Sequence, residues 1–483
     1  MRRQNEHFGS TDSGGKNAPA PAGSPDPAAL AVDVAVRRER FPLNPEEPNQ
    51  LIRKIGMGRD LTKRHSLLFE KKVKNPFSFA HDIYKYGKFR ELASFIVWEF
   101  FHKFRLFPKQ SYLKFNNSEA LTLENERLNG LAISEKMDHF FRSRGLSLIR
   151  SDHNWKLLFI NNSKEVLGCL YSDDRDLYKS ADNGKSIILV ERFPAKIKSI
   201  YISSQNTIFV CVIGAIYKSS DGGASFNKVL DLGSSESFFR HNNAMTETPD
   251  GTLIIGEYGN VWEKNGWRKL AYLYFSSDEG ETWERSGFLI DKGTNKHVHL
   301  VKYSKLFNKV FMADGDNYKK LWVCDSSNAS DLKNPAKWRP VNRFHIQMGG
   351  HTAVVENDGK ILFGTDYQGG TNFIVETRDG ETFEKIVVPD PYRRSPIDNM
   401  LQRKSKQGNE IWANLPYSTA NTKCLLMYTA DGGASWNKVI EYNRATHKVW
   451  LVSSSNEIAD ELYFSIENSK NTDRVVYQVT DQQ

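Results

Sequence analysis

From about residue 120 onward, short runs of β-branched and aromatic residues alternate with polar turns. Ala215-Ile216-Tyr217-Lys218 and Leu273-Tyr274-Phe275 are examples of the runs, and Gly, Asn and Asp dominate the turns. Short runs bounded by such turns are typical of strands, and many of them in series are typical of an all-β fold. The pattern predicts an all-β region over residues 119–483.

A helical periodicity precedes this region. Apolar residues recur at spacings of three and four at Phe89, Leu92, Ala93, Ile96, Phe100 and Phe107. This spacing predicts an amphipathic helix of about 20 residues that ends before Pro108. Its aromatic face has two interpretations. It packs on the all-β region or a neighbouring helix, or residues 88–107 form a peripheral membrane contact, because aromatics beside Lys and Arg suit an anionic interface.

Composition and charge divide the chain into three parts. Residues 10–48 are rich in Gly, Pro, Ala and Ser, so a disordered tail is predicted over residues 1–50. Residues 51–118 carry 15 Lys and Arg against 5 Asp and Glu and form a basic, mainly helical segment. The all-β region, residues 119–483, has a net charge of about −1.

Five copies of one short pattern recur in the all-β region. A hydroxyl residue is followed by Asp, then Gly, then Ser or Thr and usually an aromatic, in the segments Ser180–Ile187, Ser219–Phe226, Ser276–Trp283, Thr377–Phe383 and Thr429–Trp436. The Asp carboxylate accepts backbone N–H bonds in a tight turn, and Gly supplies a positive φ. Since an apolar strand precedes each copy, each is predicted to be the hairpin between two strands of one sheet.

These segments resemble the aspartate box, or bacterial neuraminidase repeat, of the sialidase superfamily. The resemblance implies a β-propeller in which the boxes join the third and fourth strands of a blade and act as scaffold. The wide gap between Asp278 and Asp379 predicts a blade without a box near Leu321–Trp338. The final strands number three, so a strand near residues 120–160 is expected to close the ring. Seven blades are predicted, with six as the alternative.

Polar clusters at the starts of successive first strands, and at the ends of the strands that follow them, mark the candidate site, because the innermost strands of a propeller begin around its central channel. They contain the candidate catalytic residues His241, His299, His351, Tyr258 and Tyr367. They also contain the candidate substrate-binding residues Arg240, Asn242, Glu257, Asp316, Asp366, Arg393 and Arg394. His345, Gln347 and His351 are candidate ligands of a divalent metal, by a resemblance to the manganese site of oligogalacturonate lyases.

Imidazole near neutral pH removes a proton or binds a metal, and Tyr passes a proton to a leaving oxygen. Arg or a metal neutralises a carboxylate, which acidifies the neighbouring carbon of a uronic acid. The combination indicates a carbohydrate-active enzyme, a lyase or glycoside hydrolase, acting on an acidic poly- or oligosaccharide. A non-catalytic propeller that binds a glycan or a protein is the alternative.

Other sequence features bear on the location of the protein, the state of its cysteines and nucleic-acid binding. No long apolar run or signal peptide is recognisable, so a cytoplasmic protein is expected, with membrane association as an option through residues 88–107. The four cysteines, Cys169, Cys211, Cys324 and Cys424, are predicted to be buried free thiols. No zinc-finger spacing or RNA-binding motif accompanies the basic segment, so no nucleic-acid partner is expected.

Overall fold

The computed structural model describes residues 75–482, apart from gaps at 86–88, 109–110, 118, 124–127, 129–130, 162–164, 264–265, 295, 316–319, 342–349, 368–369, 418–421 and 470–472. The predicted tail at residues 1–50 lies outside the described residues. The helices are α1 (Pro76–Lys85), α2 (Phe89–Lys103), α3 (Leu131–Arg142), α4 (Phe288–Asp291) and α5 (Ala329–Lys333).

Strands fill most of the remaining chain. In chain order they are β1 (Leu121–Leu123), β2 (Leu146–Arg150), β3 (Trp155–Ile160), β4 (Val166–Leu170), β5 (Asp176–Ser180), β6 (Ile188–Arg192), β7 (Ile197–Ile202), β8 (Ile208–Val212), β9 (Ala215–Ser219), β10 (Asn227–Asp231), β11 (Met245–Glu247), β12 (Leu253–Gly256), β13 (Trp262–Glu263), β14 (Gly266–Trp267), β15 (Leu273–Ser276) and β16 (Glu284–Ser286). The second half contains β17 (Val298–Ser304), β18 (Lys309–Asp314), β19 (Leu321–Cys324), β20 (Trp338–Pro340), β21 (Gly350–Asn357), β22 (Lys360–Asp366), β23 (Phe373–Thr377), β24 (Glu384–Val387), β25 (Asn399–Ser405), β26 (Gly408–Leu415), β27 (Cys424–Thr429), β28 (Asn437–Tyr442), β29 (His447–Leu451), β30 (Ser453–Ser454), β31 (Leu462–Asn468) and β32 (Arg474–Asp481).

These strands form a seven-bladed β-propeller. In chain order, the antiparallel four-stranded blades are β3–β6, β7–β10, β11-β12-β15-β16, β17–β20, β21–β24, β25–β28 and β29-β31-β32-β2. The prediction of seven blades is confirmed. Blade 4 is the predicted blade without a box, and its third and fourth strands are joined through α5.

The ring closes with a strand from the early part of the chain. β2 pairs antiparallel with β32, from Leu146 opposite Asp481 to Arg150 opposite Tyr477. Blade 7 thus takes its outer strand from the beginning of the all-β region, as the count of three final strands predicts. Two short parallel pairings, β1 with β28 and β30 with β3, add further links between distant parts of the sequence.

Apolar side chains fill the spaces between neighbouring blades. The cluster between blades 4 and 5 contains Leu300, Phe311, Phe363 and Val375, all fully buried. Each central strand is buried on both faces, which explains why several strands read as continuous apolar runs rather than alternating ones. All four cysteines are buried free thiols, as predicted, and burial raises the pKa of Cys169 to about 12.

The five repeated loops join the third and fourth strands of their blades and share one hydrogen-bond pattern. In the loop of Asp221, the Ser219 hydroxyl donates to the carboxylate at 2.7 Å and accepts from the Gly223 N–H at 2.9 Å. The Ser225 N–H and hydroxyl donate to the same carboxylate, at 3.0 and 2.6 Å. The loops of Asp182, Asp278, Asp379 and Asp431 repeat these contacts. In the first loop, hydrogen bonds from Ser186 lower the pKa of Asp182 to about 2.

Helix α2 lies against blade 5 and the segment that follows it. The Trp98 ring packs edge-on against Phe373 at a centroid distance of 5.0 Å. Glu99 accepts from the buried guanidinium groups of Arg393 and Arg394 at 2.7 and 2.8 Å, and His102 bonds to Asp390. The helix is therefore fixed through one face. No helix in the described part of the chain is long and apolar enough to cross a membrane.

Candidate functional site

The starts of the innermost strands meet at one end of the central channel. Here residues before β11, β17, β25 and β29 interact with one another and with residues that follow β12, β22 and β26. We call Arg240, Tyr258, Asp366, Asp398 and Tyr417 the mouth cluster. Its members come from blades 3, 5 and 6 and from the connection into blade 3, so only the closed ring brings them together.

Arg240 is the cationic member of the mouth cluster. One of its terminal nitrogens donates to Asp398 Oδ1 at 3.2 Å, and the guanidinium lies 5.8 Å from the centroid of the Tyr258 ring. Burial disfavours the charge on Arg240, yet its pKa lies above the usual value because Asp398, Tyr258 and Asp366 act on it. The mouth of the channel therefore contains a permanent positive charge beside two carboxylates.

Tyr417 completes the mouth cluster, and the sequence analysis did not select it. Burial raises the pKa of its phenol, and the charges of Asp398 and Asp366 add to the shift. The guanidinium of Arg444, which precedes β29, lies 4.2 Å above its ring. A signal was present: Tyr417 follows the second strand of blade 6, just as Tyr258 and Tyr367 follow the second strands of blades 3 and 5.

Two histidines on blade 4 lie beside the mouth cluster. His297 Nδ1 is 2.7 Å from the Gly259 carbonyl, which only accepts, so Nδ1 carries the proton. His297 Nε2 is 3.0 Å from His299 Nε2, so in the neutral pair His299 donates this bond and its own Nδ1 carries a lone pair. The Tyr258 ring packs on His297 with centroids 4.0 Å apart.

Gly315 permits this pair of histidines. A Cβ at this position would lie 2.4 Å from His297 Cδ2 and 2.9 Å from His299 Nε2. Any side chain at Gly315 would therefore displace one of the rings. The neighbouring Asp314 is buried and accepts from Trp322 and Thr294, both at 3.0 Å, and burial raises its pKa.

The other two predicted histidines have different surroundings. His241 bonds to backbone through both ring nitrogens: Ile200 N–H donates to Nδ1 at 3.3 Å, and Nε2 lies 3.1 Å from the Leu158 carbonyl. Burial lowers its pKa to about 4. His351 is fully buried against Phe363, and neither ring nitrogen has a hydrogen-bond partner among the described residues. Burial lowers its pKa to about 3.

The remaining predicted residues that the structure describes have four different settings. Glu257 is buried and accepts from Tyr274 at 2.6 Å and from Gly233 N–H at 3.1 Å, and burial raises its pKa. The Tyr367 ring packs against Gly370, and the Tyr367 N–H donates to Asn372 Oδ1 at 2.7 Å. The Asn242 side-chain oxygen is buried without a partner among the described residues. Arg393 and Arg394 bind Glu99, as described for α2 above.

Three candidates, Asp316, His345 and Gln347, lie outside the described residues. Two proposed metal ligands are among them, and the third, His351, lies in an apolar setting. Among the residues that are described, no group of three or more His, Cys, Asp or Glu is placed to hold a metal ion. The metal site stays a prediction, because two of its three ligands lie outside the described residues, and no step below depends on a metal.

Amide side chains bridge the inner strands below the mouth cluster. Asn243 donates to the Thr352 carbonyl at 3.0 Å and lies 3.4 Å from Asn399 Oδ1, so it links blades 3, 5 and 6. A cavity of about 1180 Å³ occupies the opposite end of the channel. Two carboxylates in its lining, Glu247 and Glu356, are engaged by backbone N–H groups at 2.7 and 2.8 Å. These carboxylates hold loops in place.

No family model matches the chain, and no curated protein matches it. Among solved structures it is similar to a virginiamycin B lyase from Staphylococcus aureus with quinupristin (13% identity, TM-score 0.47), over 69% of this chain and 98% of that one. It is similar to YCF48 bound to a D1 peptide (13% identity, TM-score 0.42), over 70% and 97% of the two chains. It is also similar to a luciferin-regenerating enzyme (12% identity, TM-score 0.37), over 70% and 95%.

Proposed function

We propose that this propeller is a carbohydrate-active enzyme whose mouth cluster cleaves an acidic poly- or oligosaccharide, by elimination next to a uronic-acid carboxylate. The observation that carries the proposal is the convergence of Arg240, two tyrosines and the His297–His299 pair at one end of the channel. An acidic sugar needs a cation, a base and a proton donor, and this group contains one of each kind, with both histidine side chains buried beside the Tyr258 ring.

Arg240 would bind the carboxylate of the substrate. The Arg240 side chain is 16% exposed, and its contact with Asp398 at 3.2 Å is long for an ion pair, so a second carboxylate can approach. Neutralising the carboxylate stabilises the negative charge that develops when the neighbouring carbon loses its proton. Asp398 keeps Arg240 in position through the ion pair.

The histidine pair would act as the base and a tyrosine as the acid. The lone pair of the neutral pair is on His299 Nδ1, which is buried, so it would take the proton from the carbon next to the carboxylate through an intervening water or after the rings move to admit the substrate. The electrons of that C–H bond form the new C=C bond, and the glycosidic C–O bond breaks. The leaving oxygen takes the electrons of the C–O bond and a proton from Tyr258 or Tyr417. The phenol of Tyr417 is protonated at neutral pH, because its pKa lies above the ordinary value near 10.

The test incubates the purified full-length protein with a panel of uronic-acid glycans and follows the ultraviolet absorbance of an unsaturated uronate. Tyr258→Phe and Tyr417→Phe keep the rings and remove the hydroxyls. We expect one of them to lower kcat at least about a hundredfold, since general acid catalysis contributes that much. Tyr303→Phe is the matched control, because its hydroxyl bonds to Asn308 at the far end of β17.

The outcomes separate the alternatives. Reducing ends without unsaturated product would replace elimination by hydrolysis, for which Asp366 and Asp398 are the available carboxylates. Retention of a glycan with no cleavage of any panel member would contradict an enzyme and favour the non-catalytic binder. Equal turnover by the wild type and both mouth variants would remove the tyrosines from the site.

The repeated loops also support a proposed relationship to aspartate-box propellers of the sialidase-like superfamily. Support comes from the shared contacts of the five Asp side chains and from the position of each loop between third and fourth strands. These loops lie at the other end of the blades from the mouth cluster, which suits a scaffold role. The division at residues 50 and 118 and the cytoplasmic location stay predictions.

A further inference from the structure

Helix α2 exposes an apolar face to solvent, whereas a helix packed on a globular domain usually buries its apolar face. Its contacts with the propeller are made by Trp98, Glu99 and His102. Its other side presents a row of large apolar residues, which we call the exposed stripe: Phe89, Ile96, Val97, Phe100 and Phe104. Ile96, Phe100 and Phe104 are 54%, 50% and 56% exposed, so the stripe is an exposed apolar patch and not a single exposed side chain.

Helix α1 also exposes aromatic side chains, and two cations lie at the C-terminal end of the exposed stripe. On α1, Phe77 and Tyr84 are 87% and 79% exposed. Lys103 and Arg105 flank the C-terminal end of the stripe and face solvent, with the Lys103 ammonium 5.8 Å from the Phe104 ring centroid. Residues 51–118 carry a net charge of +10 in a chain whose other residues nearly balance. Aromatic side chains and two cations thus share the surface of α2 and of the turn that follows it.

We propose that α1 and α2 bind the propeller to an anionic lipid bilayer, with the exposed stripe in the interface and Lys103 and Arg105 against the headgroups. Bulky apolar side chains on one face with cations beside them are the pattern of helices that lie in a membrane surface. The aromatic rings contribute apolar area, and the cations contribute attraction to acidic lipids. Since Glu99 and Trp98 fix α2 to blade 5, the propeller would be held at the bilayer as a rigid body.

Charge favours an acidic bilayer over two other partners for the exposed stripe, a second copy of the chain and residues 1–50. In a two-fold dimer the stripe would face a copy of itself, which would bring Lys103 and Arg105 close to the same cations of the partner. Residues 1–50 have a net charge of about −1, so the start of the chain offers little to neutralise this surface. An acidic bilayer complements both the apolar stripe and its charge.

The first experiment measures sedimentation of the full-length protein with vesicles of phosphatidylcholine and phosphatidylserine. The variant Phe100→Ser/Phe104→Ser should lower the apparent partition coefficient at least about tenfold, because it removes two inserted rings. Its matched control is Ile188→Ser/Leu189→Ser. That pair is 65% and 55% exposed on β6 and lies outside the stripe, so its loss should leave binding unchanged.

The second experiment tests the charges. Lys103→Gln and Arg105→Gln should each lower binding to the acidic vesicles about fivefold, and binding of the wild type should fall as salt rises. Lys185→Gln, an exposed cation in the loop of Asp182, is the control. Equal urea midpoints for the wild type and the Phe100/Phe104 variant would exclude unfolding as the cause of any loss.

Three results would overturn the proposal. The wild type could fail to sediment with acidic vesicles at low salt. The Phe100/Phe104 variant could bind as the wild type does. Analytical ultracentrifugation could show a dimer that the same variant dissociates while no vesicle binding occurs, which would assign the stripe to a second copy. Glycan cleavage is measured without vesicles, so a failure here is distinguishable from a failure of the proposed activity.

Discussion

The His351 imidazole is buried at the start of β21, against Phe363 and without a hydrogen-bond partner among the described residues. Burial in apolar surroundings penalises the charged form, so its pKa falls to about 3. A histidine that stays neutral in the folded protein but takes up a proton in the unfolded chain makes stability depend on pH. The burial of His351 should therefore be measurable as a pH dependence of stability, independently of any role of His351 in the site.

We predict that His351→Leu reduces the acid sensitivity of the fold. The unfolded chain binds the proton near pH 6.5, so the contribution of neutral His351 is complete above that pH and is lost as the pH falls toward about 3. Between pH 7 and pH 5, protonation of His351 in the unfolded chain should lower the free energy of unfolding of the wild type by about 2 kcal/mol. Urea unfolding at both pH values measures the difference.

His139→Leu serves as the control for this prediction, because His139 faces solvent on α3. It should leave the slope of stability against pH as in the wild type. If His351→Leu lost as much stability on acidification as the wild type does, neutral burial of His351 would not be the cause.

Glycines in the repeated loops differ in what surrounds them. Gly222 and Gly280 both have a positive φ, of 71° and 78°. A Cβ on Gly222 would meet nothing within 4 Å, whereas one on Gly280 would lie 2.4 Å from the ring of Phe209. Asn183 occupies the position of Gly222 in the first loop, at a φ of 59°, so that position tolerates a side chain.

We predict that Gly280→Ala lowers the free energy of unfolding by about 2–4 kcal/mol, from the left-handed conformation and overpacking against Phe209 together. Gly222→Asn, which copies the first loop, should cost less than about 1 kcal/mol. Urea unfolding of both variants measures the contrast. Equal losses would show that conformation alone, and no contact with Phe209, decides these positions.

At the residue scale, the sequence predicted what is local. The Asp, Gly and hydroxyl residues of the loops bond to one another within eight residues, so their roles follow from spacing alone. The mouth cluster joins residues more than 150 positions apart, such as Arg240 and Asp398. The sequence placed Arg240, Tyr258, His299 and Asp366 at strand ends but could not separate them from His241, whose nitrogens bond to backbone of blades 1 and 2.

At the element scale, the predicted helix is present, but its orientation differs from the simpler expectation. It ends at Lys103, five residues before Pro108, because Arg105 adopts a left-handed conformation and the chain turns back so that Phe107 stacks on Trp98 at 5.6 Å. Periodicity locates an apolar face but does not decide what the face contacts. Here Glu99 and its partners Arg393 and Arg394, nearly 300 positions later, set the orientation.

At the scale of the whole molecule, closure of the ring depends on five residues far from the last blade in sequence. β2 supplies the outer strand of blade 7 and covers β32, whose edge would otherwise be open. The buried side chain of Leu146 joins the core of blade 7 with Phe464 and Val479. The first and last strands of the propeller in the sequence are thus linked by backbone hydrogen bonds and by apolar packing.

We predict that Ser147→Pro/Leu148→Pro opens blade 7. Adjacent N–H groups of a strand point to opposite sides, so one of the two prolines must remove a bond to β32. The free energy of unfolding should fall by about 3 kcal/mol or more, and amide hydrogens of Arg474–Asp481 should exchange faster than those of blades 2 to 5. Ile149→Ala, whose side chain faces solvent between the same pairings, should change neither quantity. Uniformly faster exchange in all seven blades would instead mean that the ring opens as one cooperative unit rather than at this seam.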